Sequence, residues 1–314
     1  MRSLWSRVAV GVALALAAYA AFSFVADVRT LGDRLARVAP GGVFAALALS
    51  LGNYFLRFVR WDGYLRRVDA VVPRRLSAHV FLCGLGLSIT PGKVGELVKS
   101  ALLREAAGIP ATRTMPVVIA ERVTDLIALV LLALVGVALY GVATELAVAG
   151  AILVALGLVA LMARPVAHRL LALLARVPGV RRFAPRLAAL YDGVAALMRP
   201  APLLWATSLA IPAWLCECVG FALVVRAFPG AEVSFGLATA IYAATTIAGA
   251  LSFLPGGLIV TEASMTLLLV TSAAALDQPT AIAAVLVTRA CTLWFAVALG
   301  LVALAVPRCK LPDR

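Results

Sequence analysis

Apolar positions in this chain run on in blocks long enough to cross a bilayer, instead of alternating or recurring as a single amphipathic stripe. About 20 apolar residues span the hydrocarbon, and such blocks lie at 8–26, 41–60, 114–140, 144–163, 201–226 and 279–305. Between them are apolar stretches at 76–90, 94–106, 236–253 and 257–275, joined in pairs at Pro91-Gly92 and Pro255-Gly256. The first two are too short to cross. Each pair reads as a re-entrant hairpin that enters and leaves on one side. The pattern predicts an all-α polytopic membrane protein: six full transmembrane helices plus two re-entrant helical hairpins, arranged as an inverted repeat.

The inversion follows from parity within one membrane domain, 1–314. Residues 1–40 hold a first span and outer loop, 41–140 repeat unit 1, and 141–200 a linking span and basic cytoplasmic loop. Residues 201–306 hold repeat unit 2, and 307–314 a cytoplasmic tail. Unit 1 runs span, hairpin with Pro91-Gly92, then a span carrying Glu121-Arg122-Val123-Thr124-Asp125. Unit 2 runs span, hairpin with Pro255-Gly256-Gly257, then a span carrying Thr288-Arg289, so Arg122 and Arg289 occupy matching places. With the N-terminus inside, the second span runs inward and the fifth outward. Inverted repeats with helices broken near the midplane are the plan of many secondary transporters.

Composition fixes the solvent. Apolar residues make up 63% of the 314, mean hydropathy is +1.03, and 14% are charged; soluble domains are roughly 45 to 50% apolar. Arg2 and Arg7 ahead of an apolar run ending Ala17-Ala18-Tyr19-Ala20 resemble a secretory signal, but the run is long for one and is read as an uncleaved first span. The net charge of +13 suggests nucleic acid until its distribution is examined. Arginines cluster after the second and fourth spans, with Arg308, Lys310 and Arg314 closing the chain. The positive-inside rule then places both termini in the cytoplasm and the chain in the inner membrane, its basic loops against anionic lipid headgroups. Cys216-Glu217-Cys218 lacks the spacing of a zinc site, and His79 and His168 are the only histidines. No cofactor, metal centre or catalytic motif is expected.

Charge at membrane depth costs roughly 2.5 to 3.5 kcal/mol per residue on insertion scales, which makes each such residue a functional candidate. Lys93, in the first hairpin tip, reads as a headgroup ligand or as a lysine snorkelling to water. Glu96, three residues on, can neutralise it. Glu121 and Asp125 share a helix face, with Arg122 beside them; the cluster is either functional or structural. Glu262 is a lone protonatable carboxylate whose partner is Arg122 or Arg289. Arg57, Arg60 and Trp61 share a face at the end of the second span, where the guanidiniums could grip phosphate and the indole sit at the interface. A belt tryptophan with two orientation arginines is the alternative. Pro91, Gly92, Gly95, Pro255, Gly256 and Gly257 break the helices, and the restarting segments would aim positive ends into the gap.

The Arg-Trp at 60–61, Pro-Gly-Lys-x-Gly-Glu at 91–96, Glu-Arg-x-x-Asp at 121–125 and Pro-Gly-Gly with a following glutamate at 255–262 resemble the lysylphosphatidylglycerol synthase transmembrane family over roughly 40–305. That resemblance implies a lipid-translocating domain in which Arg60, Trp61, Lys93, Glu96, Glu121, Arg122, Asp125 and Glu262 are functional positions. The sequence departs from the family pattern at Ile259, where another glycine is often found, and carries no aminoacyltransferase domain after residue 306. A lysyl-lipid substrate is therefore not implied. The expectation is a non-enzymatic flippase for an anionic or phosphate-containing lipid. An integral membrane enzyme using Glu121 and Asp125 on a lipid phosphate, or a scaffold for a partner synthase, are the alternatives. Homo-oligomers are compatible with all three.

Overall fold

The computed structural model describes residues 28–90, 95–174, 176, 181–272 and 274–306, and among them there is no strand. Its helices are α1 (Val28–Ala36), α2 (Pro40–Arg67), α3 (Arg74–Gly86), α4 (Val98–Ala107), α5 (Ala111–Tyr140), α6 (Thr144–Met162), α7 (Arg164–Leu174), α8 (Ala184–Leu197), α9 (Pro200–Arg226), α10 (Phe235–Leu251), α11 (Val260–Thr271), α12 (Gln278–Arg289) and α13 (Phe295–Ala305). A π turn over Ala290–Trp294 joins α12 and α13 into one span. Among the described residues, five helices are long and apolar enough to cross a membrane: α2, α5, α6, α9 and the joined α12–α13. The expected span at 8–26 lies outside the described residues, as do Pro91, Gly92 and Lys93.

Side-chain placement is that of a protein dissolved in lipid. Along α2 the exposed residues include Phe44, Leu51 and Phe55, while Asn53, Arg57, Arg60, Trp61 and Tyr64 point inward. Apolar side chains are at home against hydrocarbon, whereas polar ones must find partners inside the protein. Pro40 and Pro200 open α2 and α9, where the missing N–H has no helical acceptor in any case. The side chains of Ser234 and Asp277 cap α10 and α12 by accepting from the backbone N–H of Leu237 and Thr280.

Contacts sort the helix termini to two ends. At one end the Ala39 N–H donates to the Ala227 carbonyl over 2.9 Å, the Ser234 hydroxyl donates to the Tyr140 hydroxyl, and Arg34 pairs with Asp277. This end holds the start of α2, α10 and α12 and the close of α5 and α9. At the other, Arg67 stacks on Trp205 at 3.8 Å and Arg113 donates to the Asp69 carbonyl. There α2 closes and α5 and α9 begin. The second end carries Arg66, Arg67, Arg74, Arg75, Arg104 and Arg113. Helix α3 starts at the arginine-rich end, as does α5, which follows α4; α10 starts at the opposite end, as does α12, which follows α11.

The two halves are packed crosswise. Helices α2 and α9 lie along one another, α3 lies on α13, and α10 lies on α5. Small residues permit the close approach. Gly86 and Gly300 meet backbone to backbone, so that a Cβ on Gly300 would collide with Gly86, and a Cβ on Gly136 would strike Ala240. Gly300→Leu is expected to lower stability by about 3 kcal/mol, the upper range for overpacking. Gly157→Leu, at a site where a Cβ meets nothing within 4 Å, should leave stability undiminished. Thermal unfolding of the purified protein in detergent compares the two.

Candidate functional site

Arg122 lies eleven residues beyond Ala111 and Arg289 eleven beyond Gln278. At 1.5 Å per residue, each arginine stands about 16 Å along its helix, and the two helices start from opposite ends. That depth is half of a hydrocarbon core of about 30 Å. The breaks between α3 and α4 and between α10 and α11 arrive at the same level: Ile89 from the first packs with Leu258 from the second and Val297 of α13.

The break after α10 is built from unusual backbone. Phe253, Gly256, Gly257 and Ile259 all have positive φ. Glycine takes that conformation freely, whereas Ile259, at φ 72 and ψ −56, occupies the strained γ-turn region that a β-branched residue rarely adopts. Crowding explains the glycines. A Cβ on Gly257 would lie 3.1 Å from Gly249 Cα and 2.8 Å from Thr261 Oγ1. In the first break, Thr90 Oγ1 accepts from the Gly95 N–H at 2.7 Å, and a Cβ on Gly95 would meet the Leu87 carbonyl oxygen at 2.6 Å.

Ionic side chains from both halves converge between these breaks. Lys99 Nζ pairs with Glu121 at 2.6 Å and with Glu96 at 3.6 Å, and it lies 4.4 Å from the centroid of a Trp61 ring. Arg60 pairs with Asp125 at 2.6 Å and donates to Thr124, while Arg122 pairs with Asp125 at 2.9 Å and Glu96 at 3.3 Å. Arg57 reaches Glu96 at 3.9 Å, and the Trp214 indole N–H donates to Asp125 at 3.2 Å. On the other side Arg289 Nε donates to Glu262 at 2.6 Å and its Nη2 donates to the Gly256 carbonyl at 2.7 Å. Glu262 is thus partnered by Arg289. Glu96 lies two residues before α4 and Glu262 lies in the first turn of α11, so each restarting helix has a carboxylate near its positive end.

Trp61 departs from the sequence expectation. It is fully buried and Arg60 is 1% exposed, so neither is a belt or orientation residue at the membrane surface. The physical reason is Lys99, whose ammonium sits in the interior and is met by the indole face. Lys99 was not anticipated, although its position three residues after Glu96 marks a same-face pair. Glu217 was also passed over. It is buried at the centre of an apolar span and accepts a 2.6 Å hydrogen bond from the Tyr242 phenol. It stands seventeen residues after the proline that opens α9, as Arg57 stands seventeen after the proline that opens α2. No sequence signal marks Tyr54, whose hydroxyl donates to the Thr292 carbonyl inside the π turn at 2.7 Å. Such turns recur at functional sites because they release a backbone carbonyl.

These residues enclose a cavity of about 80 Å³ to which both halves contribute: Arg57 and Glu96 from the first, Glu217, Gly256 and Arg289 from the second. Among the described residues no cluster of histidine, cysteine and carboxylate side chains could hold a metal.

The sequence pattern described as the lysylphosphatidylglycerol synthase TM region matches residues 8–300. The chain belongs to this family. No curated protein matches it. Family membership and the membrane-crossing helices fit a lipid-related, multi-pass membrane protein.

Two consequences are measurable. Lys99→Met leaves Glu121 buried without its partner and should cost about 3 to 5 kcal/mol, whereas Lys99→Met combined with Glu121→Gln should be less destabilised than Lys99→Met alone; a double-mutant cycle on thermal unfolding reads the coupling. Ile259→Gly should raise stability by about 1 kcal/mol through relief of backbone strain, measured the same way.

Proposed function

We propose that this protein is a lipid flippase of the inner membrane, moving an anionic or phosphate-containing lipid between leaflets. The observation that carries this reading is the cavity shared by both halves, with guanidiniums and carboxylates on its walls. The sorting of helix ends supports the finer architecture: two re-entrant hairpins entering from opposite faces and two units of inverted topology. The arginine-rich end is taken as cytoplasmic, with both chain termini there.

In the mechanism, Arg57, Arg122, Arg289 and Lys93 hold the headgroup phosphate, and Glu96 and Glu262 balance the arginines when the site is empty. Guanidinium suits this role because its planar fork matches phosphate oxygens. Fixing the site and rocking the two units about it would open it to each leaflet in turn. The small-residue crossings at Gly86–Gly300 and Gly136–Ala240 supply smooth surfaces for such movement. A membrane lipid is the substrate, and a second copy or a partner synthase can be accommodated at the lipid-facing surface.

The test is reconstitution in vesicles of phosphatidylglycerol and phosphatidylethanolamine with a headgroup-bearing fluorescent phospholipid. Leaflet exchange without chemical change supports transport; an altered lipid mass would point to an enzyme, and neither to a scaffold. Arg57→Ala, Lys93→Ala and Glu262→Gln should each slow exchange more than about tenfold, equivalent to about 1.4 kcal/mol, in protein that still elutes as a single folded species. Unchanged rates in all three would refute the site assignment.

A further inference from the structure

A second cavity, of about 220 Å³, adjoins the charged one. Its walls are mainly apolar: Leu126 and Leu129 of α5, Leu153 of α6, and Leu251, Phe253 and Leu254 at the end of α10. It shares Trp214, Thr246, Gly249 and Ala250 with the charged cavity, so the two are separated by a single layer of residues. Arg122 and Asp125 also line it, which places an ion pair at its polar end. Toward the lipid side, Leu153, Leu254 and Phe253 are 43%, 40% and 72% exposed. Phe253 is held there by a backbone with φ 54, a conformation uncommon for a bulky residue.

We infer that the two cavities form one amphipathic site, and that the apolar slot takes a hydrocarbon chain of the transported lipid, which passes from the bilayer between Phe253 and Leu153. The inference rests on the transport reading and goes further, because the chain travels within the protein and is not left in the bilayer. Three observations fix the occupant. The charged cavity has room for a compact polar group and several waters but not for a whole lipid, so the remainder of an amphiphile must lie elsewhere. The slot lies directly behind a wall that it shares with the charged cavity, and it is lined by side chains that favour hydrocarbon. Arg122, which lines the slot beside Asp125, has a side chain 23% exposed and an Nε without a hydrogen-bond acceptor, so it is placed to meet a phosphate whose chain runs into the slot. Leu126 and Leu129 stand one and two helical steps beyond Arg122 on the same helix, which gives phosphate and chain a common track.

Photolabelling tests this directly. The purified protein is placed in vesicles containing phosphatidylglycerol with a diazirine midway along one acyl chain, irradiated, and mapped by mass spectrometry, with leaflet exchange measured on the same preparation. Adducts are expected on Leu129, which is 3% exposed and out of reach of bulk lipid. Leu129→Trp, which fills the slot, should abolish those adducts and slow exchange at least tenfold. Adducts confined to bilayer-facing Leu134, Val135 and Leu139 overturn the inference, as does undiminished exchange in Leu129→Trp. Should Leu129→Trp fail to fold, the labelling pattern of the unaltered protein decides. Adducts on Leu129 without exchange in any preparation would keep the slot as a lipid site and remove the transport reading.

Discussion

Charge neutrality in a medium of low dielectric constant is the constraint on which the rest of this structure depends. Among the described residues, five cations, Arg57, Arg60, Lys99, Arg122 and Arg289, converge with five carboxylates, Glu96, Glu121, Asp125, Glu217 and Glu262. Each unpaired ion at this depth would carry several kcal/mol of desolvation cost. Helix placement follows from that requirement. The short helices α3, α4, α10 and α11 bring Glu96 and Glu262 to the level of the arginines, and the long helices carry those arginines about halfway across.

The ion pairs and the apolar packing are distributed differently. Lys99–Glu121, Arg60–Asp125 and Arg289–Glu262 each close within one half of the chain. The extensive helix contacts, α2 on α9, α3 on α13 and α10 on α5, run between the halves. Movement of one half against the other would therefore disturb dispersion contacts while leaving the tightest ion pairs whole. The contacts of Arg57 and Arg122 with Glu96 are 3.9 and 3.3 Å, and these looser contacts are the ones a phosphate could replace without stranding a buried ion.

Much of this was legible in the sequence. Apolar block length located α2, α5, α6, α9 and the joined α12–α13, because hydrocarbon thickness fixes span length. The second Pro-Gly pair marks the break after α10, where Gly256 and Gly257 take positive φ, and the first falls between α3 and α4 in the sequence, outside the described residues. What sequence could not convey was direction. The pattern around Arg60 and Trp61 has the composition of a membrane-surface belt, and only the position of Lys99 on a different helix reveals that both point inward. Glu217 was hidden for a related reason: a single carboxylate between two cysteines in an apolar span carries no motif, and the tyrosine that donates to it lies 25 residues away. The π turn after Arg289 has no compositional mark, because Ala290–Trp294 would fit a regular helix equally well.

The crosswise arrangement bears on biogenesis. Helix α3 is synthesised more than 200 residues ahead of the Gly300 surface on which it finally rests. Until then the first half waits in the bilayer with its apolar contacts unfilled, a state lipid tails can tolerate because they solvate leucine as well as another helix does. Its charges, by contrast, need not wait, since Lys99 and Arg60 find Glu121 and Asp125 on a helix translated soon afterwards. The nascent chain can thus close its tightest ion pairs within each half as it is inserted and defer the union of the two halves until the second has been made.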